Sequence, residues 1–382
     1  MESLTRFADS KLDRINAANL HRTLKATGRG APITVVRAGR EMISFCCNDY
    51  LGLSQHAKLK EAAIEAIERY GVGGGASRFV TGNNPLYGEL EARLAGLKSS
   101  PAACVFGSGY LANIGIIPTF AGDGDLIIGD ELMHACMHAG ARLSGAKTQL
   151  FHHNDIDDCR RKLDAHRAGH GTCLVMTEGV FSMEGDRAPV RELAALAAEF
   201  DAWLLTDDAH ALGVIGDGRG SSHAGGDTIA VPLQMGTLSK AVGVYGGYLC
   251  ADEAAIDLLK HRARSLIYTT ALPPMVLASA IAALELIASD AELVAAPLNK
   301  ARLFTGRVGL APAQSAIVSV VLGDPETALN AAQALEDKGF LVIAMRPPTV
   351  PEGTSRLRIT FSAAHRDAEV LALADCVAAL LP

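Results

Sequence analysis

The stretch AWLLTDDAH, at residues 202–210, is an apolar run that ends abruptly in two carboxylates and a histidine. An uninterrupted apolar run of this length is typical of a strand that is buried on both faces. Similar runs at 126–134, 172–182 and 229–240 also end in Asp, Glu, Ser, Thr, His or Lys. In an open parallel sheet the carboxyl ends of the strands meet at one edge, and ligands bind there. These polar residues therefore predict one shared site.

Segments with helical periodicity separate the apolar runs, which favours a mostly parallel sheet covered by helices on both faces, an α/β fold. The predicted strands are 102–106, 126–128, 172–176, 202–206, 229–235 and 246–250. The predicted helices are 57–69, 87–97, 110–120, 133–144, 190–200 and 254–262. An amphipathic helix at 12–20 and a strand pair at 33–37 and 42–45 are predicted before them.

The pattern changes after Pro273 and Pro274, where a smaller α+β region begins. Its predicted elements are helices at 275–287, 326–337 and 367–380 and strands at 316–321, 340–345 and 357–361. Polar and apolar residues alternate over 356–361, as in an antiparallel strand with one exposed face. The prediction divides the chain into an N-terminal helix and strand segment (1–45), a large α/β domain (46–275) and a small C-terminal α+β domain (276–382).

Composition and charge exclude several classes of protein. The net charge of −7 disfavours a nucleic-acid-binding protein and gives no reason to expect a membrane partner. The eight cysteines form no C-x-x-C pair, so we expect reduced, mostly buried thiols in a cytoplasmic protein. No segment predicts a membrane span or a signal peptide. His134 and His138 are four residues apart, but no further ligands accompany them, so no metal site is expected.

Lys240 and Asp207 are the residues whose chemistry points to one cofactor, pyridoxal phosphate. That cofactor needs a lysine to form a Schiff base and an acid that keeps its pyridine nitrogen protonated, so that the ring accepts electrons. It also needs a site for its phosphate. The segment AACVFGSGY (102–110) runs from a predicted strand through a glycine turn into a helix, where free N–H groups and the helix dipole favour a phosphate.

The same glycine turn supports an alternative, a dinucleotide enzyme such as an NAD-dependent dehydrogenase. Residues 107–112 (GSGYLA) match the pattern G-x-G-x-x-A after a strand. The acidic residue required after the next strand is present as Asp130, slightly late. This alternative gives Asp207, His210 and Lys240 no role, so it ranks behind pyridoxal phosphate.

Six segments of the chain resemble the α-oxoamine synthases, which are pyridoxal phosphate enzymes of fold type I, the fold of aspartate aminotransferase. They are NDYLGL (48–53), SR (77–78), GSGY (107–110), TEGVFSM (177–183), DDAH (207–210) and TLSK (237–240), in the family's order over nearly the whole chain. The resemblance implies a large sheet domain, a small C-terminal domain, and a homodimer with its active site at the subunit interface.

The resemblance also implies a role for each matching residue. Lys240 would carry the cofactor and then take the α-proton of the amino acid, and Asp207 would hold the pyridinium proton. His210 would bond the phenolic oxygen of the ring, and His134 would stack on its face. The other cofactor-binding candidates are Glu178 and Ser182 near the ring, Ser108, Gly109, Tyr110 and Thr237 at the phosphate, and Thr269 and Thr270, which would reach the phosphate of the neighbouring subunit.

The substrates are implied in the same way. Arg358 would pair with the amino-acid carboxylate through both arms of its guanidinium. Candidates for binding the acyl substrate are Arg22, Asn48, Arg346 and Thr349. The stretches 346–351 (RPPTVP) and 353–358 (GTSRLR) most resemble the family's biotin-pathway members, which implies decarboxylative condensation of L-alanine with a pimeloyl thioester of coenzyme A or an acyl carrier protein. The alternatives are sibling reactions that join glycine to acetyl-CoA or succinyl-CoA, or serine to a long acyl thioester.

Overall fold

The computed structural model describes residues 2–17, 21 and 23–381 of the chain. The strands are β1 (Thr34–Arg37), β2 (Arg40–Ser44), β3 (Ala102–Phe106), β4 (Leu126–Asp130), β5 (Lys147–Phe151), β6 (Cys173–Glu178), β7 (Trp203–Asp207), β8 (Leu233–Thr237), β9 (Gly247–Ala251), β10 (Ile317–Gly323), β11 (Phe340–Leu341), β12 (Ile343–Met345) and β13 (Ser355–Thr360). The helices are α1 (Glu2–Ala17), α2 (Ala57–Tyr70), α3 (Leu86–Leu97), α4 (Gly109–Phe120), α5 (Ala135–Ser144), α6 (Ile156–His166), α7 (Val190–Glu199), α8 (Glu253–Arg262), α9 (Arg264–Ile267), α10 (Pro274–Ser289), α11 (Ala291–Val308), α12 (Pro325–Asp337) and α13 (Asp367–Ala378).

A seven-stranded sheet in the order β3-β9-β8-β7-β6-β4-β5 forms the centre of the fold. Its strands are parallel to their neighbours except β9, which is antiparallel to both β3 and β8. Successive side chains point to opposite faces: Leu174 packs with α4, α5 and α8, whereas Val175 packs with α6 and α7. Because helices cover both faces, the inner strands are apolar throughout, and the predicted α/β fold is confirmed.

The edge strand β5 and helix α6 were not predicted. In β5, which reads KTQLF, only Phe151 is buried. An edge strand has a neighbour on one side only, so its sequence can stay polar and shows no continuous apolar run. Helix α6 begins after Asp155, whose side chain accepts the backbone N–H of Asp158 at 2.8 Å.

Two three-stranded sheets lie outside the central sheet, one ordered β1-β2-β11 and the other β10-β13-β12. In the first, β11 is parallel to β2, so the N-terminal strand pair and the C-terminal region share one sheet. In the second, β13 is the middle strand and is antiparallel to both neighbours. The division of the chain into three parts at residues 45 and 275 stays a prediction.

The expectation that β13 has one exposed face is wrong. All six residues of the strand are buried, including Arg356 and Arg358. The loop that follows β6 covers the face that carries both arginines, since Arg358 contacts Ser182 and Arg356 contacts Glu184. The alternating polar pattern therefore marks a face that packs on another part of the protein instead of facing water.

Helices α10 and α11 form a bent pair. Within the described ranges no single helix is long and apolar enough to cross a bilayer, and these two pass that test only together, with a bend of 80° between them. Helix α11 was not predicted. It contains Pro297, a residue that disfavours a helix interior, yet the helix continues through it.

Candidate active site

Three parallel strands deliver polar residues to one edge of the central sheet. β6 ends at Glu178 and β7 ends at Asp207, and these two residues are paired in register. β8 ends at Thr237, and Lys240 follows three residues later in a turn. Parallel strands place their carboxyl ends together, so two carboxyl groups, a hydroxyl and an amine are assembled where α/β sheets bind ligands.

The Asp207 carboxylate is buried and held by two donors. The side-chain amide of Asn113 donates to Oδ2 at 2.8 Å, and the backbone N–H of Ala209 donates to Oδ1 at 2.9 Å. The same Asn113 nitrogen lies 3.1 Å from the sulfur of Cys136. Two donors fix the orientation of the carboxylate, so one edge of it is aimed in a defined direction.

The Lys240 amine is enclosed by the site and lies 2.7 Å from Nε2 of His210. Burial lowers the pKa of Lys240 to about 8. The negative charges of Asp207 and Glu178 oppose this decrease, and the positive charge of Arg358 lowers the pKa further. A fraction of the amine is therefore unprotonated near neutral pH. Only the unprotonated amine can attack a carbonyl group, so the environment favours attachment of an aldehyde.

His210 connects Lys240 to Tyr50. Its Nδ1 atom lies 2.6 Å from the hydroxyl of Tyr50, on the opposite side of the ring from Lys240. Burial, followed by repulsion from the Lys240 charge, holds the pKa of His210 well below its usual value. Burial also raises the pKa of Tyr50 to about 12. Both groups are therefore neutral at pH 7 and exchange hydrogen bonds rather than charge.

Glu178 is a buried carboxyl group next to Asp207. Its Oε2 atom accepts the backbone N–H of Ser182 at 3.2 Å, and Oε1 has no partner within the described part of the chain. Burial first, and then the Asp207 charge, raise the pKa of Glu178 well above its usual value. A carboxylic acid kept neutral in this way can donate a hydrogen bond to a bound ligand.

The N-terminus of α4 forms a cradle of small residues against β8. Ser108 caps the helix, since its hydroxyl accepts the backbone N–H of Leu111 at 3.2 Å. A Cβ atom placed on Gly109 would lie 3.2 Å from the Cβ of Thr237, so this turn packs directly on β8. The first N–H groups of the helix have no intrahelical acceptor and can bind a phosphate. Tyr110 follows with a largely exposed side chain.

The hydroxyl of Thr237 is already engaged. It donates to the carbonyl of Gly246 at 2.6 Å and accepts the backbone N–H of Ser239 at 3.2 Å. It would have to rotate to donate to a phosphate held at the start of α4.

His134 is anchored at the start of α5. Its Nδ1 atom accepts the backbone N–H of Cys136 at 3.2 Å and lies 2.8 Å from the Cys136 sulfur. The residue as a whole is exposed, but neighbouring groups partly enclose its ring. This partial burial lowers the pKa of His134, although the negative charge of Asp207 acts to raise it. An aromatic ring fixed on one edge and open on its face can stack on a flat ligand.

Arg358 is a buried cation without a carboxylate partner among the described residues. Its Nε atom donates to the carbonyl of Ser182 at 2.5 Å, and both terminal nitrogens lie 3.3 Å from the amide oxygen of Asn48. Arg356 differs, because Glu184 pairs with it at 2.9 Å. The two arms of Arg358 thus converge on one neutral oxygen, which suits later exchange for a carboxylate.

Within the described part of the chain, Thr349, Thr269 and Thr270 have no hydrogen bond to this cluster. Thr349 is exposed, and its backbone N–H donates to the carbonyl of Arg346 at 3.0 Å. Thr270 is also exposed and pairs with Ser77 in an isolated bridge, next to the half-buried Thr269. Arg22 lies outside the described residues.

Sequence reasoning missed three residues of the site: Tyr50, Asn113 and Cys136. Tyr50 lies inside the segment NDYLGL, but the family resemblance assigns no role to this tyrosine. Asn113 is the one amide in the mostly apolar sequence of α4, which is a signal that the sequence contains, and the structure shows that it is fully buried. Nothing in the sequence singles out Cys136.

The dinucleotide alternative has no acid available to bind a ribose. Asp130 is fully buried, and its carboxylate accepts the backbone N–H groups of Leu132 and Asn154, each at 2.9 Å. It also lies 3.2 Å from Nδ1 of His153. This buried and already bonded carboxylate is not exposed to a ligand, which disfavours the dinucleotide alternative.

Comparisons with known sequences agree with the geometry. The model of the family "Aminotransferase class I and II" matches residues 40–377. A relative named 8-amino-7-oxononanoate synthase from Beijerinckia indica is 56% identical over all of this chain and 99% of its own length. Another of that name, from Methylocella silvestris, is 59% identical over 90% of this chain and 98% of its own.

Solved structures give the same family. A serine palmitoyltransferase from S. paucimobilis with bound PLP has a TM-score of 0.92 at 31% identity, over 99% of this chain and 98% of that one. An 8-amino-7-oxononanoate synthase from Francisella tularensis has a TM-score of 0.76 at 27% identity, over 88% of this chain and 97% of that one. The predicted fold type and the predicted cofactor, pyridoxal phosphate, are confirmed. The chain belongs to the class I and II aminotransferase family, and within it to the α-oxoamine synthases, which makes it a pyridoxal-phosphate-dependent acyltransferase.

Proposed function

We propose that this chain condenses L-alanine with a pimeloyl thioester, with loss of carbon dioxide, to form 8-amino-7-oxononanoate for biotin synthesis. One observation carries the proposal: continuous contacts run from Lys240 through His210 and Tyr50 to Asn48 and Arg358. The amine that carries the cofactor and a cation for a carboxylate thus share one network, as an amino-acid substrate requires. The name carried by relatives at 53–59% identity selects this reaction among those of the family.

The residues of the site fit pyridoxal phosphate, which supplies an electron sink for the negative charge that develops on the amino acid. Asp207, oriented by Asn113, would hold the proton of the ring nitrogen. His210 would contact the phenolic oxygen, and His134 would cover one face of the ring. The unpartnered Oε1 of Glu178 offers a further hydrogen bond, with Ser182 beside it. The phosphate would lie at the N–H groups of Ser108, Gly109 and Tyr110, next to Thr237.

Lys240 and Arg358 would handle the amino acid. Arg358 would hold the carboxylate of L-alanine in place of the Asn48 amide oxygen. The Lys240 amine would accept the α-proton of the amino acid, and its pKa of about 8 leaves part of it unprotonated near neutral pH. Arg346 and Thr349, which share one turn, would contact the acyl chain, together with Arg22.

We also propose a homodimer with the active site at the subunit interface. Large apolar side chains are exposed around the glycine-rich segment and the turns near the site: Val72, Phe79, Val80, Tyr110, Tyr245 and Tyr268. Helix α1 buries none of its residues, and Leu4 and Phe7 are exposed on it. A second copy of the chain would cover these surfaces. Thr269 and Thr270, which do not reach the site of their own chain, would then contact the phosphate in the other.

The unpaired state of the eight cysteines supports a cytoplasmic location. Five of them are buried, and burial raises the pKa of four, Cys104, Cys136, Cys159 and Cys250, to about 12. Such thiols are unreactive and are suited to a reducing compartment.

The test of the proposed reaction is a matrix of substrates followed by thiol release. L-Alanine, glycine and L-serine are each paired with acetyl-CoA, succinyl-CoA, palmitoyl-CoA, pimeloyl-CoA and the pimeloyl acyl carrier protein. We expect the highest kcat/KM with L-alanine and a pimeloyl donor. An apolar pocket discriminates one methylene by only about 10- to 200-fold, so neighbouring chain lengths will react to some extent. Preference for glycine with a short acyl-CoA, or for serine with palmitoyl-CoA, would contradict the proposal.

Replacing Asp207 by asparagine is expected to keep the fold and the cofactor but to reduce kcat roughly 100- to 1000-fold, because the charge opposite the ring nitrogen is lost. The fold tolerates the change, since the Asn113 oxygen has no partner among the described residues and that amide can turn to accept from the new side chain. The measurement is kcat alongside cofactor absorbance. Asp201→Asn, at an exposed position, is the control. Equal rates in the two variants would remove Asp207 from its role.

Arg358→Lys keeps the positive charge but loses the planar guanidinium, which can bond both oxygens of a carboxylate. We therefore expect the KM for L-alanine to rise about 100-fold, in line with the strength of charge-assisted hydrogen bonds. Arg356→Ala, two residues away on the same strand, is unsuitable as a control because it would leave Glu184 without its buried partner. Arg307→Lys, on the exposed surface of α11, is the matched control. Identical KM values in both lysine variants would exclude Arg358 from carboxylate binding.

A further inference from the structure

The imidazole of His153 lies between two carboxylates of different segments. Its Nδ1 atom is 3.2 Å from Asp130 at the end of β4, and its Nε2 atom is 2.9 Å from Asp186 in the loop after β6. The ring edge also packs on Phe181, with 4.3 Å between the ring centres. Burial alone would lower the pKa of His153, but the two carboxylates raise it to about 10. His153 is therefore a cation at neutral pH, and it bridges two anions.

Asn154 reinforces this bridge. Its backbone N–H donates to Asp130 at 2.9 Å, and its side-chain amide donates to Asp186 at 3.0 Å and to the carbonyl of Arg187 at 3.3 Å. We call the group His153, Asn154, Asp130 and Asp186 the clamp. The clamp attaches the loop after β6 to the carboxyl edge of the sheet.

That loop, residues 179–188, is here called the docking loop. It folds back on itself through two backbone bonds, from Phe181 to the carbonyl of Asp186 at 3.0 Å and from Gly185 to the carbonyl of Phe181 at 2.9 Å. Its other side meets β13 and the segment just before β10: the Ser182 carbonyl accepts from Arg358 at 2.5 Å, and the Gly185 carbonyl accepts from Ser315 at 2.7 Å. The docking loop thus connects the clamp to the guanidinium of Arg358.

We propose that His153 is a positioning residue for amino-acid binding, which holds the docking loop so that the Ser182 carbonyl aims Arg358 at the substrate carboxylate. His153 itself does not touch Arg358 or Lys240 in the described contacts. Asp130 is fully buried, so without His153 a carboxylate pair would lose its shared cation, and the loop would move away from the sheet. The inference rests on the proposed role of Arg358.

The first test is hydrogen exchange of the holoenzyme without substrate, measured on the peptide that contains the docking loop. In His153→Asn, the backbone amides of Phe181 and Gly185 should exchange at least about tenfold faster than in the unaltered protein, because their backbone hydrogen bonds open when the loop is released. His152→Asn is the matched control, since this neighbour is exposed and its side chain has one contact with the described residues, to Glu131 at 3.4 Å. Unchanged exchange in the His153 variant would overturn the proposal.

The second test separates positioning from general damage. In His153→Asn the KM for the amino acid should rise about tenfold while kcat stays within about twofold, the pattern of lost ground-state binding. Asp186→Asn should do the same, and the double variant should be no worse than either single one, because both break one unit. A loss confined to kcat or to the melting temperature, or additive effects, would mean a merely structural role.

The amino acid in this test is the one that the substrate matrix selects, because every candidate carries the same carboxylate. Failure of the proposed function would show in the unaltered enzyme, as absence of thiol release with L-alanine. Failure of the clamp would show in the exchange rates and in the KM ratio. The two failures are therefore distinguishable.

Discussion

Lys240→Ala is expected to give a folded protein in which the cofactor cannot be fixed at residue 240. Its kcat should be at least about 10⁴-fold lower, which is the usual effect of removing the central residue of a catalytic unit. The lysine is the only amine within contact of His210 in the described structure. Borohydride reduction followed by peptide analysis should find the cofactor on the segment TLSK in the unaltered protein and on no peptide in the variant.

The control is Lys147→Ala, an exposed position on the edge strand β5, which should leave labelling and rate unchanged. The pH dependence gives an independent check. Capture of the cofactor by the protein from which it has been removed should accelerate as pH rises towards about 8, where the Lys240 amine loses its proton, and then level off. Labelling at another lysine, or a capture rate that levels off only near the ordinary lysine pKa of 10.5, would contradict the assignment.

Lys98→Met is expected to destabilise the fold by about 3–5 kcal/mol, the usual result of leaving a buried charge without its partner. The Lys98 amine lies 2.6 Å from Asp208 and 2.5 Å from the carbonyl of Arg219, and both charged side chains are fully buried. A Cβ atom on Gly179 or on Gly220 would collide with the Asp208 carboxylate, so the backbone packs closely around this carboxylate. Urea unfolding gives the free energy of unfolding.

The double variant Lys98→Met with Asp208→Leu is expected to recover much of this loss, because an apolar pair replaces an ion pair instead of breaking it. The exposed pair of Arg307 and Asp375 is the control, and Arg307→Met should change the free energy of unfolding by less than about 1 kcal/mol. A loss below about 1 kcal/mol for Lys98→Met would show that Asp208 finds other partners.

The sequence alone determined the parts of the fold that depend on local pattern. Apolar runs such as 172–176 and 202–206 mark strands buried on both faces, and the polar residue after each run marks the edge where ligands bind. Asp207, His210 and Lys240 can be grouped from the sequence, because parallel strands bring the ends of separate segments together by a rule that is independent of register. The resemblance of six short segments then supplies the family.

Only the tertiary structure decided which side chains complete the site. Asn113 reaches Asp207 from 94 residues away, and Arg358 reaches Asn48 from 310 residues away, and no local pattern encodes contacts of that range. The same holds for burial: the alternation in β13 predicted exposed arginines, but a loop from another part of the chain covers them. Periodicity reports which residues share a face of a strand. What packs against that face depends on segments distant in sequence, so the clamp at His153 and the burial of Arg358 could be found only in the folded chain.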